Sequence, residues 1–170
     1  MARFGPDTAT CEVFTKREGV LAAVGHDLKL RPERFEIEAD ATSVRARFDP
    51  SSLRVAPAMR AGREDPSAVS ERDRRDIERS CARDVLEAHR FPEIIFASSE
   101  VQRDSVRGTL SLHGRELTGE FAVKRVADRA VAEVEIDVRR FGIRPFTAML
   151  GALRVSPMVR VVVTTPWPDV

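Results

Sequence analysis

The three histidines, His26, His89 and His113, are the side chains best suited to move a proton near neutral pH or to hold a metal. Their spacings match no metal-site pattern, so a three-histidine site would need distant loops to converge. His26 and Asp27 are adjacent, so on a strand they face opposite ways and neither can orient the other. All three histidines therefore read as surface or turn residues. The carboxylates Glu36, Glu38, Asp40 and Glu133, Glu135, Asp137 alternate with apolar residues, which places each trio on a polar strand face. A general acid–base pair would need a cleft that drives two pKa values apart, and an outward face offers none. No GxSxG elbow, phosphate-cradling glycine loop or HExxH motif occurs. In ERDRRDIER the charges alternate in sign, as on a salt-bridged helix face. Cys11 and Cys81 have neither metal-ligand spacing nor a CxxC pattern, and read as buried free thiols. The expectation is a protein with no catalytic residue, no metal and no cofactor.

Charge balance narrows the partners. Twenty-eight basic residues face 27 acidic ones, whereas a nucleic-acid-binding domain usually carries a basic excess. No apolar run approaches the ~18 residues of a membrane-spanning helix. The N-terminal MARFGPDTATCEV has no apolar stretch behind Arg3, so no secretory signal is read and a cytoplasmic location is expected. A length of 170 residues suits one domain, 1–170, and leaves a homodimer open.

Strand alternation dominates the elements that must position these residues. Phe35, Ile37 and Ala39 alternate with Glu36, Glu38 and Asp40, and after a turn Val44, Ala46 and Phe48 alternate with polar residues, which reads as a hairpin. The acidic face of one strand would lie beside the basic face of the other. Period two recurs in 106–113, 117–124 and 132–139, and in the terminal Val159, Val161 and Val163. Earlier runs at 11–15 and 22–30, with 94–101, bring the count to about eight. A sheet of that size curls, splits or closes, and short connections favour an up-and-down antiparallel barrel; a two-sheet sandwich has the same signature. Residues 57–69 read as a Pro/Gly/Arg-rich loop. One helical excursion follows at about 70–90, with Ser70 as its cap, Asp73 in its first turn, and a stripe of Ile77, Cys81, Val85 and Leu86. Pro92 stops it and pushes Phe91 away from helical angles.

The inward candidates Leu28, Leu30, Phe35, Ile37, Phe48, Phe96, Leu110 and Ile136 have small neighbours, among them Ala39, Ala46, Gly108, Gly119 and Ala132. Such a barrel is either filled by its side chains or hollow enough for one ligand.

The stretches Val85-Leu86-Glu87, Pro92-Glu93-Ile94-Ile95-Phe96, Ser98, Val106 to Gly114 and Phe141-Gly142 are together similar to the motifs of the YceI-like domain. The resemblance covers most of residues 8–165. It implies an extended, lipocalin-like eight-stranded antiparallel barrel that binds a long apolar chain, such as a polyisoprenoid, without catalysis. Many of its members are periplasmic. Ile94 and Phe96 would face the interior, and Ile95 would pack beneath the helix. The family's Arg-Asp-x-His-Leu is echoed only by Arg75-Asp76-Ile77, and Val138 and Arg140 replace its Arg and Asp before Phe-Gly. The reading is a non-enzymatic binder of a polyisoprenoid, quinone or fatty acyl lipid. Phe141, Phe146, Met149 and Leu150 join the lining at a mouth flanked by Arg144 and Arg154, which would contact a head group. The alternative is an interaction module with a filled barrel.

Overall fold

The alternation becomes strand after strand in the computed structural model, which describes residues 1–18, 27–60, 63–65, 69–148 and 153–167. In chain order these are β1 (Ala2–Phe4), β2 (Thr10–Phe14), β3 (Arg17–Glu18), β4 (Lys29–Pro32), β5 (Phe35–Ala39), β6 (Val44–Phe48), β7 (Leu53–Val55), β8 (Ala58–Arg60) and β9 (Arg63–Asp65). After helix α1 (Glu71–Ser80) come β10 (Ile94–Val101), β11 (Ser105–Leu112), β12 (Arg115–Val126), β13 (Arg129–Asp137), β14 (Thr147–Ala148), β15 (Leu153–Val155) and β16 (Met158–Pro166). Eleven strands form one curled antiparallel sheet in the order β1-β5-β6-β10-β11-β12-β13-β16-β2-β4-β7. A small sheet holds β14, β15 and β3. β8 and β9 pair as a hairpin, so part of the expected 57–69 loop is strand. Of the strand expected at 22–30, residues 29 and 30 belong to β4, and 19–26 lie outside the described residues.

The expected eight strands are eleven partly because one long hairpin is broken at a corner. β4 runs into β5 through Glu33 and Arg34, and β6 runs into β7 through a 3-10 turn at Pro50–Ser52. β5 pairs with β6 near one edge of the sheet, while β4 pairs with β7 at the other. The same hairpin thus belongs to both edges and carries the wall round the bend. Fully buried Ser52 pins the corner. Its Oγ donates to the Asp49 carbonyl at 2.7 Å and accepts the Arg34 N–H at 3.0 Å, and its carbonyl accepts the Glu33 N–H at 3.0 Å. The buried prolines Pro32 and Pro50 supply no N–H to a ladder, which suits them to a break. β1, absent from the sequence reading, pairs with β5, and the chain then crosses to β2, burying Ala9 against Ile37 and Ala46.

Within the hairpin the register sets Glu36 opposite Arg47 and Glu38 opposite Arg45, as the charge pattern predicts. Ser70 caps α1, its Oγ accepting the Asp73 N–H at 3.1 Å. A single wide π-helical turn, Cys81–Val85, continues the helix. The helix contacts β7, and its carboxylate Glu78 accepts the Val55 N–H at 3.0 Å. It does not cover Ile95 from outside: Ile77, Cys81 and Val85 face the sheet's interior on the side of Ile94.

Candidate ligand cavity

The inward side chains of the curled sheet do not fill its interior. They surround a cavity of about 860 Å³, within the ~300–1,000 Å³ usual for small-molecule sites. Its wall draws on every long strand, from Val13 on β2 and Ala46 on β6 through Leu110 on β11 and Val123 on β12 to Ala132 on β13 and Val161 on β16. Phe96 and Phe121 meet edge to face within the wall, ring centroids 5.6 Å apart. Gly108 and Gly119 are directly opposed in the ladder beneath them. A Cβ on Gly108 would stand 2.6 Å from Phe96 Cζ and overlap the Ala97 carbonyl, and one on Gly119 would stand 3.2 Å from Phe121 Cζ. The glycines are the seats of the two rings.

The helix covers one end of the cavity with Asp76, Ile77, Ser80, Cys81, Val85 and Leu86, beside Arg17, Pro145, Phe146 and Arg154. Turn residues Asp40, Ala41, Gln102 and Arg103, with Trp167, border the other end. Both cysteines lie on the wall. Burial, assisted by Glu12, pushes the Cys11 thiol up to about 12, and burial, assisted by Glu78, pushes Cys81 up to about 11. These are neutral thiols and weak nucleophiles.

Of the residues expected at the lining, Leu28, Leu30, Ile37, Phe48, Ile94, Phe96, Leu110, Ile136, Phe146 and Arg154 border the cavity. Phe35 does not: at the corner end of β5 its ring stacks on Phe48, centroids 5.5 Å apart. Phe141 is off the wall as well, buried in the 3-10 turn Val138–Phe141 and packed with Leu112 and Ile143. Arg144 is exposed and does not border the cavity. Met149 and Leu150 lie outside the described residues. The sequence reading left out the β2 and β16 contributions, although Val159, Val161 and Val163 carried the right period. It also left out Arg17, for which no local pattern existed.

The histidines separate. His26 lies outside the described residues, and His89 is exposed. His113 is more than a turn residue. Its Nε2 stands 2.7 Å from a Glu87 carboxylate oxygen and its Nδ1 3.2 Å from the Phe141 carbonyl. Both partners only accept, so satisfying both takes a proton on each ring nitrogen. Phe91 covers the ring, centroids 4.5 Å apart. Arg90, and next His113, hold the Glu87 carboxyl below its ordinary range. His113 and Gly114 both have positive φ, and a Cβ on Gly114 would collide with Phe91 at 2.7 Å. This clasp joins the segment after the helix, the β11–β12 turn and the 138–141 turn. Glu87 and His113 do not border the cavity; the clasp builds its end from behind the lining.

A family model described as the YceI-like domain matches residues 7–165. Among solved structures, a polyisoprenoid binding domain from Saccharophagus degradans aligns with a TM-score of 0.58 at 14% identity, over 94% of each chain. BcnA of Burkholderia cenocepacia aligns at 0.54 and 14% identity, over 92% of this chain and 96% of that one. A YCEI protein of Campylobacter jejuni aligns at 0.50 and 11% identity, over 70% of this chain and 73% of its own. At such identities the likeness is one of fold. No curated protein matches the sequence.

Proposed function

Because the chain belongs to the YceI-like domain family, we propose that it binds one long apolar chain, a polyisoprenoid, quinone or fatty acyl lipid, inside the curled sheet and leaves it chemically unchanged. The observation that carries this reading is the 860 Å³ cavity with its mostly aliphatic wall, into which the rings of Phe48, Phe96 and Phe121 are set. The structural neighbour described as a polyisoprenoid binding domain supports it. Burial magnitudes favour a long ligand. Each buried CH₂ contributes ~0.8 kcal/mol, so roughly ten contribute ~8 kcal/mol. Association itself costs ~4–15 kcal/mol, which cancels most of that for a short chain.

The test is a native mass spectrum of protein purified without detergent, followed by denaturation and organic extraction. A stoichiometric bound mass that extracts as an isoprenoid, quinone or acyl lipid is the expected result. An apo mass, with no thermal shift on adding any of these, would turn the reading towards a module that binds another protein.

A further inference from the structure

The two ends of the cavity differ in what their polar groups have left to offer. At the turn-lined end, one Asp40 carboxylate oxygen already accepts the Thr42 and Ser43 N–H groups, at 2.8 and 2.9 Å. Gln102 Nε2 donates to Glu100 at 2.7 Å, and Arg103 is exposed. At the helix-covered end, Arg154 Nε lies 3.5 Å from a Glu18 carboxylate oxygen, and its side chain is 53% exposed. Asp76 lies 3.7 Å from Arg79, and Ser156 Oγ accepts the Met158 N–H at 3.2 Å.

Arg17 differs from all of these. It borders the cavity and is half-buried, and its side chain forms no ion pair or hydrogen bond among the described residues. Only its backbone is tied: the N–H donates to an Asp27 carboxylate oxygen at 3.0 Å, and the residue sits opposite Val155 in the ladder. The sequence of residues 19–26, GVLAAVGH, adds no carboxylate. An arginine at the border of an apolar cavity, its side chain without a partner among the described residues, is a ready site for an anion.

We infer that the ligand is an amphiphile with an acidic group, carboxylate or phosphate, held by Arg17 at the helix-covered end, its tail running towards Asp40 and Gln102. A guanidinium suits either anion, because its planar fork matches their paired oxygens. This inference rests on the apolar-chain reading.

Calorimetric titration of the full chain with hexadecanoate, hexadecyl phosphate and hexadecanol, each kept below its micellar concentration, tests it. One or both acids should bind at least tenfold more tightly than the alcohol. Arg17→Gln should reduce them to the alcohol's affinity, and Arg17→Lys should restore part of the preference. Which acid binds more tightly identifies the head group. Equal affinities for acid and alcohol would overturn the inference and leave apolar binding intact, as would an acid preference that survives Arg17→Gln. Binding of none of the three would overturn apolar binding as well.

Discussion

The cavity wall and the clasped end share strands but treat their side chains in opposite ways. β11 passes through both. Val106 and Leu110 border the cavity and are only partly buried. Leu112, at the end of the strand, borders it too but is buried with Phe141 and Ile143 beneath the His113–Glu87 contact, in a cluster that Leu110 packs against. On the wall, small residues recur beside large ones and leave a cavity between them. At the clasped end the packing is closed and both polar atoms of the histidine ring are satisfied. Of the stretches that resemble the family in the sequence, Val85-Leu86-Glu87, His113-Gly114 and Phe141-Gly142 meet at the clasp, whereas Ile94, Phe96, Val106 and Leu110 lie on the cavity wall. The wall needs only apolar residues of varied size. The motifs therefore mark both the closed end of the curled sheet and the stretch of wall beside it.

The largest effect should come from the closed side. Phe141→Ala should lower unfolding free energy by about 3–5 kcal/mol in urea melts, as for other buried phenylalanines. Leu110→Ala, made beside existing space, should fall below the usual ~2 kcal/mol minimum for buried leucines; equal losses would erase the contrast. Gly108→Ala should cost about 1–3 kcal/mol as an overpacking change. It should also weaken ligand binding, because Phe96 must leave its seat. Ala132→Phe should move stability by no more than ~1 kcal/mol while abolishing apolar-chain binding, since the new ring enters the cavity. A loss above ~3 kcal/mol there would show a wall packed like a core.

The smallest effect concerns Glu87. Its folded carboxyl lies below the ordinary value of 4.5, so the unfolded chain takes up the proton first. The stabilisation is present above about pH 4.5 and is lost as pH falls through the depressed folded value. Glu87→Gln should melt lower than wild type at pH 7, with the two converging below pH 4.5; a gap constant with pH would count against the charged clasp.

Much of this fold is legible in the residues. Period two located every long strand, and Ser70 and Pro92 bounded the helical excursion. The corner was not legible. Alternation runs on through the hairpin, and the buried hydrogen bonds of Ser52 depend on a bend that no local pattern announces. The hairpin of β8 and β9 hides among residues that favour loops. Inwardness was legible for Leu30 and Phe96 but misled at Phe35, which shares the inward face yet spends its ring on Phe48. His113 looked idle because its partners lie 26 and 28 residues away along the chain.

The hydrogen bond from Val55 N–H to Glu78 has a consequence for how this chain treats its own copies. β7 is an outer strand of the main sheet, and an outer strand with free N–H groups is a template on which another chain can add. Glu78 occupies one of those donors and sets a negative charge on the rim. The element that covers the cavity therefore also guards an edge. A molecule whose helix swings aside would uncover an apolar interior and a strand rim together, making the open form the one most prone to self-association.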